Sequence, residues 1–373
     1  MTAPKDWYRA VGVISGTSMD GIDVALVETD GRAQVRPGAG ATYPYPEPVR
    51  DALLALIADP ERAESAPVPE IEAAVTAAHG DAIERFLKSN AVAAASVDLI
   101  GLHGQTVFHR PQKRFTRQLG SGPAIAERLG IATVSRFRHA DVAAGGQGAP
   151  LVPLYHQALA AELAKPLMVL NLGGVGNITY IGREALIAFD TGPANAMLDD
   201  FVRRRRGLQF DEGGRISAAG RVENSIIARF VRHAYFAQPA PKSLDRNEFH
   251  AELEAVEALS DEDGAATLAE MTVQASIAAL AHVPQRPLRW LVTAGGRQNA
   301  HIMRRLTAEL KVPVEPVEAV GWHGDFLEAE CFGYLAVRSV LELPLSLPST
   351  TGVPRPMTGG ELAEPGTKPR AAH

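Results

Sequence analysis

The residues best suited to chemistry lie in short turns rich in glycine, hydroxyl and acidic side chains. The first turn, residues 15–21, has the sequence Ser-Gly-Thr-Ser-Met-Asp-Gly. Its hydroxyl groups, and the backbone N–H groups that glycine leaves accessible, could bind a polyanion at close range. Asp20 and Asp23 could hold a hydrated Mg²⁺, which keeps several waters and needs few carboxylates. An ordinary hairpin turn uses the same residue types for backbone reasons, so both interpretations stay open.

Two acidic residues could act on water. Asp190 follows the apolar run 186–189 and precedes Thr191-Gly192-Pro193, so we expect it at the end of a strand. A carboxylate there could accept a proton, or it could cap the next helix, a frequent role of Asp before a first-turn Pro. Glu328 opens the amphipathic segment 327–342, where acidic residues also suit the helix dipole. Residue type alone leaves the catalytic and the structural interpretations open for both.

Other polar residues follow predicted strands in the same way. His103 and Gln105-Thr106 come after the apolar run 97–102, and their imidazole and amide groups suit sugar hydroxyls or phosphate. A lone histidine is still more often structural. The turns 173–177 and 294–299 contain Gly-Gly pairs, which let a nucleotide approach the backbone but also suit plain turns.

Composition restricts the class of protein. At 373 residues, with ~100–200 residues per domain, two domains are expected. Hydrophobic residues make up 46% and charged residues 21%, which is ordinary globular usage and too apolar for a disordered chain. The net charge of -6 argues against nucleic acid as the main partner. The single cysteine, Cys331, excludes an internal disulfide and a cysteine-based zinc site.

The sequence also predicts where the protein works. The N-terminus has no apolar core of signal-peptide length. No run of ~18 apolar residues suits a transmembrane helix. We therefore expect a cytoplasmic protein with no membrane contact.

Predicted strands and helices alternate along the chain and carry these residues. Strands are predicted on both sides of two of the turns, at 9–15, 22–28, 167–172 and 178–181. Both regions share one pattern of buried strand, small-residue turn and returning strand, although their sequences hardly match. Helical periodicity elsewhere, as at 69–88, predicts an α/β fold with covered sheet faces. Ligands of such sheets bind beyond the strand ends, where these turns cluster.

Two common phosphate-binding signatures are missing from the chain. It contains no Gly-x-x-x-x-Gly-Lys-[Ser/Thr] phosphate loop, and the motif set of protein kinases is absent. A nucleotide would therefore have to be held by a different fold.

Several segments taken together are similar to one family, the anhydro-N-acetylmuramic acid kinases. They occur in family order and comprise residues 12–25, 101–109, 137–153, 171–179, 189–195, 293–299 and 325–332. Each segment alone is weak evidence for the family, but the segments together are highly specific to it. Thr350-Thr351-Gly352 and Gly359-Gly360 in the Pro- and Gly-rich tail also resemble the family, so we expect the tail to be more than a linker.

The resemblance implies an α/β fold of two ribonuclease H-like, actin-like ATPase domains with a cleft between them. The implied lobes are 1–135 with about 340–373, and 136–339, which carries the catalytic Asp. ATP and Mg²⁺ are the implied cofactors, with Asp20 and Asp23 at the metal. The residues implied to bind ATP are Gly16, Thr17, Ser18, Met19, Asp20, Gly21, Ile22, Asp23, Gly173, Gly174, Asn177, Gly295, Gly296 and Asn299.

The implied substrate is a small bicyclic amino sugar, 1,6-anhydro-N-acetylmuramic acid. Its C6 oxygen is already bonded to C1, so C6 has no free hydroxyl to phosphorylate. The resemblance implies that water attacks C1 while the C6 oxygen leaves and takes the γ-phosphoryl group, giving N-acetylmuramic acid 6-phosphate in peptidoglycan recycling. Asp190 matches the base that activates water, and Glu328 matches a second carboxylate that helps to position it. The expected sugar contacts are His103, Gln105, Thr106, Arg138 and Asp141.

The chain departs from the family pattern in a few places. Ala194 and Ala294 stand where Gly is expected, and Leu244-Asp245-Arg246 stands where Thr-Gly-Arg is expected. The extra methyl group at Ala194 puts the range of substrates in question more than the fold. The alternatives are another actin-like sugar kinase, a non-catalytic nucleotide switch, and a glycosidase that works without ATP. A homodimer is implied by the family alone.

Overall fold

The computed structural model divides the chain into two units. It describes residues 5–16, 19, 21–244 and 248–366, except for the side chain of residue 250. The first unit comprises Met1–Ala161 and Phe326–His373, and the second comprises Glu162–Asp325. The lobes expected from the sequence differ from these units only in residues 136–161 and 326–339.

Strands and helices alternate along both units. In the described residues the strands are β1 (Tyr8–Ser15), β2 (Ile22–Thr29), β3 (Val35–Tyr43), β4 (Leu99–Arg110), β5 (Phe115–Leu119), β6 (Thr133–Ser135), β7 (Leu167–Leu172), β8 (Val175–Ile181), β9 (Leu186–Pro193), β10 (Trp290–Thr293), β11 (Val314–Pro316) and β12 (Glu361–Ala363). The helices are α1 (Glu47–Ile57), α2 (Pro60–Ser65), α3 (Pro69–Ser89), α4 (Gly122–Leu129), α5 (His139–Ala143), α6 (Pro153–Leu159), α7 (Asn195–Arg206), α8 (Arg215–Ala219), α9 (Asn224–Phe230), α10 (Ala234–Ala237), α11 (His250–Val256), α12 (Asp261–Ala278), α13 (Ala300–Leu310), α14 (Leu327–Val340) and α15 (Pro348–Thr351).

The sheet of the first unit combines a meander with parallel strands. β1, β2 and β3 run antiparallel to their neighbours, and the register pairs Ser15 with Ile22 across the first turn. β4 lies parallel to β1 on the other side, and β6 lies parallel to β4. The strand order is β12-β6-β4-β1-β2-β3, and β5 pairs with β4.

The sheet of the second unit repeats this plan. β7, β8 and β9 form an antiparallel meander, while β10 lies parallel to β7 and β11 parallel to β10. Its order, β11-β10-β7-β8-β9, matches β6-β4-β1-β2-β3 of the first unit strand for strand. The predicted α/β fold and its shared strand pattern are thereby confirmed.

Local sequence explains where many of these elements begin and how they are buried. Ser121 and Ser260 cap α4 and α12, and each hydroxyl oxygen accepts a backbone N–H three residues ahead, at 3.3 and 3.1 Å. β7 is buried along almost its whole length, as expected for a strand covered on both faces. No helix in the described part of the chain is long and apolar enough to cross a membrane.

Some elements were not evident from the sequence. β3 has the sequence Val-Arg-Pro-Gly-Ala-Gly-Ala-Thr-Tyr, and proline and glycine disfavour strands except at sheet edges, where β3 lies. In the tail, Ser346 pairs with Met357, and β12 pairs with β6. The tail is therefore integrated into the first unit as far as it is described, which confirms that it is more than a linker.

Helix α14 approaches β1 and β4 at a distance that only glycine permits. A Cβ atom on Gly12 would lie 1.7 Å from the carbonyl oxygen of Ala329. A Cβ atom on Gly101 would lie 1.9 Å from the carbonyl oxygen of Phe332. This contact fixes α14 on the first unit, and with it Glu328 near the start of the helix.

Replacing Gly12 with Ala should destabilise the first unit, because the added methyl group would overlap backbone atoms of α14. Overpacking costs about 1–3 kcal/mol, and more where backbone must shift. Thermal unfolding followed by circular dichroism should show a lower melting temperature. Gly359→Ala is the control, since a Cβ atom there meets its neighbours at 3.4 Å or more. Equal melting temperatures for the two variants would contradict the packing described.

Candidate functional site

The first turn is held by a side chain from the neighbouring strand β4. The hydroxyl of Ser15 donates to the side-chain oxygen of Gln105, and the amide nitrogen of Gln105 donates to the carbonyl of Gly16 at 3.3 Å. Gln105 is fully buried. The structure thus gives Gln105 a contact with the turn implied to bind phosphate. The predicted residues Thr17, Ser18 and Asp20 lie outside the described part of the chain.

The rest of the first turn is tightly packed. Met19 is buried with a φ of 54°, and its N–H donates to the carbonyl of Gly16 at 3.2 Å. A Cβ atom on Gly21 would lie 2.5 Å from the side chain of Thr42, so the close strand pairing needs glycine there. The side chain of Ile22 is in the core, which leaves its backbone as the part able to reach a ligand.

Asp23 is the described residue of the predicted metal pair. Its carboxylate accepts a hydrogen bond from the Thr42 hydroxyl at 2.6 Å. Among the described residues, no three His, Cys, Asp or Glu side chains form a group that could hold a metal ion. A nucleotide-bound Mg²⁺ does not need such a group, because it takes one or two carboxylates together with phosphate and water. The carboxylate chemistry of Asp23 fits this kind of ion.

Arg138 and His103 form a buried pair in the first unit. The Nε of Arg138 donates to Nε2 of His103 at 2.9 Å, and its Nη1 donates to the carbonyl of Gly148 at 2.6 Å. Since Nε2 of His103 accepts, its Nδ1 carries the proton that is donated to the Gly104 carbonyl at 2.9 Å. Burial, with the charge of Arg138, lowers the pKa of His103 well below its usual value. His103 is therefore a neutral acceptor that orients Arg138.

Glu328 lies within the electrostatic reach of two other predicted residues. Burial raises the pKa of its carboxyl group, the positive charge of Arg138 opposes this shift, and the negative charge of Asp23 adds to it. The side chain stays open to solvent even though protein crowds the carboxyl group. Glu328 therefore lies within range of the charges of Arg138 and Asp23 in the first unit.

The remaining predicted sugar contacts are engaged with protein. The hydroxyl of Thr106 accepts from the Gln118 amide at 3.3 Å. Asp141 is 2% exposed and accepts from the N–H of Gly148 at 2.6 Å and from the hydroxyls of Ser346 and Thr351. A sugar contact of Thr106 or Asp141 stays a prediction.

Asp190 lies inside β9 of the second unit, three residues before the strand ends at Pro193, so the strand extends beyond the end that the sequence predicted at Asp190. Its Cα pairs with that of Asn177 on β8, and its carboxylate accepts the N–H of Leu244 at 2.9 Å. Burial raises the pKa of Asp190 from 3.8 to about 7, and the Leu244 hydrogen bond opposes this shift. A carboxyl group with a pKa near neutral pH is suited to general base catalysis.

The alternative that Asp190 caps a helix is wrong. Helix α7 begins at Asn195 with Ala194 in the cap position, and Pro193 ends β9 instead of opening the helix. Asp190 is thus four residues before the cap. Its carboxylate is free of that structural role.

The glycine turns of the second unit meet at Asn195. The backbone N–H of Asn195 donates to the carbonyl of Gly173 at 2.9 Å, and its side chain donates to the carbonyl of Leu172 at 2.8 Å. A Cβ atom on Gly296 would lie 2.4 Å from Leu172 and 3.1 Å from the Asn195 side-chain oxygen. The backbones of the turns at 173–174 and 295–296 are therefore neighbours, as shared nucleotide contacts require.

Asn299 has a clear structural role. Its side-chain oxygen accepts the N–H groups of His301 and Ile302 at 3.1 and 3.0 Å, so it caps α13. Its predicted contact with ATP stays a prediction.

Sequence reasoning missed the residues that hold Asp190 and the glycine turns. Tyr235 donates its hydroxyl to the Asp190 carbonyl, and the Lys242 carbonyl accepts the Asp190 N–H at 3.0 Å. The Lys242 ammonium donates to the Tyr235 carbonyl at 2.9 Å, and burial lowers its pKa to about 8. Asn195 ends one of the segments that resemble the family, and Lys242 lies two residues before Leu244, where the chain departs from the family pattern; these positions were the available signal. Tyr235 lies in none of those segments.

Comparison with known proteins gives the family. A family model described as anhydro-N-acetylmuramic acid kinase matches residues 8–364. The chain belongs to this family. A protein of that description from Rhodospirillum rubrum is 50% identical over 94% of this chain and 93% of its own length. One from Paramagnetospirillum magneticum is 49% identical over 94% of this chain and 98% of its own length.

A solved structure supports the fold. The Acidaminococcus fermentans (R)-2-hydroxyglutaryl-CoA dehydratase component A superposes with a TM-score of 0.50 at 10% identity, covering 90% of this chain and 99% of that chain. At this identity the likeness concerns the fold alone. Membership of the anhydro-N-acetylmuramic acid kinase family makes this chain an ATP-dependent carbohydrate kinase.

Ala294 occupies a backbone conformation that favours the glycine expected in the kinase family. Its φ is 61° and its ψ is -173°, a region that is almost exclusive to glycine. The turn is held there by Arg297, whose side chain donates to the Ala294 carbonyl at 3.0 Å and pairs with Glu318 and Asp325. The surrounding ion pairs thus maintain a strained residue next to Gly295.

Ala294→Gly should raise the melting temperature of the kinase. Relief of strain at such a residue is worth about 1–3 kcal/mol, and the flexibility of glycine in the unfolded chain offsets roughly 0.5–1 kcal/mol of it. Differential scanning calorimetry would measure the difference, with Ala300→Gly inside α13 as the control that should lower stability. A loss of stability in Ala294→Gly would show that the turn is not strained.

Proposed function

We propose that this kinase phosphorylates 1,6-anhydro-N-acetylmuramic acid and opens its anhydro ring with water in one event, giving N-acetylmuramic acid 6-phosphate. The observation that carries the proposal is the Asp190 carboxyl group, placed on β9 with a pKa raised by burial to about 7. Family membership supports peptidoglycan recycling as the process it serves. We infer a cytoplasmic homodimer from the same membership.

Asp190 would act as the base on water. Water attacks C1 of the sugar while its proton passes to the Asp190 carboxylate, and the bond from C1 to the C6 oxygen breaks. The C6 oxygen leaves with its electron pair and takes the γ-phosphoryl group of ATP, so no separate acid is needed to protonate it. A base matched to the working pH typically contributes ~10²–10⁴-fold to the rate.

The second carboxylate, Glu328, would accept a hydrogen bond from the attacking water. The nearby positive charge of Arg138 favours its ionised form, which is the form that accepts. Its solvent-open side chain also leaves room for a water molecule. These features support a role for Glu328 in positioning the water.

Arg138 is the residue best suited to the acidic part of the sugar. N-acetylmuramic acid carries a carboxylate, and arginine binds carboxylates through charge-assisted hydrogen bonds. His103 and Gly148 hold two of the nitrogens of Arg138 at 2.9 and 2.6 Å, which fixes the plane of the guanidinium group. We propose that its remaining edge binds the substrate carboxylate.

The nucleotide would be bound by glycine turns. We propose that residues 16–23 surround the phosphates, that Gly173 and Gly174 form the second phosphate contact, and that Gly295 and Gly296 approach the adenosine. Mg²⁺ bound with the nucleotide would supply charge stabilisation at the phosphates. Asp23, with Asp20, would hold it through carboxylate oxygens, as its chemistry allows.

Asp190→Asn should abolish turnover and retain ATP binding, because the amide keeps the shape of the side chain but cannot accept a proton. We expect kcat to fall by at least ~10²-fold. In the wild type, kcat/KM should fall about tenfold per pH unit below pH 7 and level off above it, since the base works ionised.

Asp199→Asn is the control for the Asp190 variant. Asp199 is a second carboxyl group whose pKa burial raises to about 7, so its loss should leave the acidic limb of the pH profile in place. A normal kcat in Asp190→Asn, or disappearance of that limb in Asp199→Asn alone, would remove Asp190 from the role of base.

An isotope experiment tests the coupled reaction. The kinase is incubated with ATP, Mg²⁺ and the anhydro sugar in water labelled with ¹⁸O, and the products are located by mass spectrometry and NMR. We expect the label at C1 and phosphate at C6. Ring opening without ATP would indicate a glycosidase, and ATP turnover indifferent to the sugar would indicate a nucleotide switch.

A further inference from the structure

Asp141 is a buried carboxylate whose oxygens are occupied by protein donors. It is 2% exposed and lies on α5, the short helix that follows Arg138. One oxygen accepts the N–H of Gly148 at 2.6 Å. The other accepts the hydroxyls of Thr351, at 2.6 Å, and Ser346. Three protein donors thus engage both oxygens of a carboxylate that is almost fully buried, so it is poorly placed to accept a further hydrogen bond from a sugar.

Two of these donors belong to the C-terminal segment, which we define as residues 345–353. Its backbone also contacts the glycine-rich loop, residues 144–150, because the N–H of Gln147 donates to the Thr351 carbonyl at 2.7 Å. Close packing supports the same junction, since a Cβ atom on Gly146 would lie 2.3 Å from Asp141 and 2.5 Å from Val353. Asp141 therefore joins the loop to residues that lie 205 and 210 positions after it in the chain.

The loop, in turn, holds Arg138. Gly148 gives its N–H to Asp141 and its carbonyl to Nη1 of Arg138, both at 2.6 Å. The Nε2 of His109 donates to the Gln147 carbonyl at 2.9 Å, which fixes the loop from the side of β4. A continuous series of hydrogen bonds therefore runs from Thr351 through Asp141 and Gly148 to the guanidinium group.

We propose that Asp141 is a positioning residue, through which the hydroxyls of the C-terminal segment orient Arg138 for the carboxylate of the sugar. The inference rests on the proposed function for the identity of the ligand. It replaces the predicted sugar contact of Asp141 with an action through Gly148. The network is buried and charge-assisted, so loss of one donor is felt along its length.

The test uses Thr351, the far end of the series, because it lies outside the binding groups themselves. Thr351→Val keeps the shape of the side chain and removes the hydroxyl donor, while Thr351→Ser keeps the hydroxyl and removes the methyl group. We expect the valine variant to raise the KM for the anhydro sugar about tenfold. Its KM for ATP and its kcat should stay within about twofold of the wild type. The serine variant should restore the sugar KM.

A milder variant guards against misfolding. Ser346→Ala removes the other hydroxyl of the C-terminal segment and should raise the sugar KM in the same direction. Thermal unfolding establishes that each variant is folded at the assay temperature. The inference would be overturned if the folded variants had an unchanged KM for the sugar, or if they lost affinity for the sugar and for ATP equally. Neither outcome would affect the kinase activity of the wild type, so the proposed function would remain in place.

A measurement without substrate separates the inference from the proposed function. The Nε–H group of Arg138, assigned by its loss in Arg138→Lys, should give a protected signal in ¹⁵N-resolved NMR spectra because it donates to His103. We expect faster exchange of this proton with water in Thr351→Val and protection in Thr351→Ser. Equal protection in both variants would refute the link, whatever the enzyme phosphorylates.

Discussion

The contact on which the first unit depends is the approach of α14 to the backbones of β1 and β4. Gly12 and Gly101 make it possible, because any side chain there would enter the helix backbone. The contact carries Glu328 to the end of the sheet where the first turn lies, within reach of the charges of Arg138 and Asp23. One packing constraint thus assembles acidic and basic groups from distant parts of the sequence.

In the second unit the most important physical effect is the desolvation of one carboxyl group. Burial raises the pKa of Asp190 to about 7, with no neighbouring charge needed for the shift. A raised pKa means that folding favours the protonated form, so stability falls as pH rises from about 4 to about 7 and the cost persists above it. Such a cost is typical of catalytic groups, which are placed for chemistry at the expense of stability. Two hydrogen bonds hold the backbone of Asp190 in place despite this cost: its carbonyl accepts from the Tyr235 hydroxyl, and its N–H donates to the Lys242 carbonyl.

Both units use side-chain amides and carboxylates to hold backbone turns. The side chain of Gln105 holds Gly16, that of Asn195 holds Leu172 just before the turn at 173–174, and that of Asp141 holds Gly148. Gln105 and Asp141 do so from buried positions, where competing water is excluded. Side-chain hydrogen bonds thus fix the backbone of these segments.

Local periodicity and motifs that can be compared directly were enough to predict the strand pairs, the glycine turns between them and the family. The sequence also singled out Asp190, but it left both a helix cap and a base open. Folding excludes the cap, since Ala194 occupies the cap position, and it buries the carboxyl group, which raises its pKa. The role of Asp141 likewise depends on Ser346 and Thr351, which folding brings to it from 205 and 210 residues away. Residue type reveals what a side chain can do, whereas burial and distant partners determine which of those roles it performs.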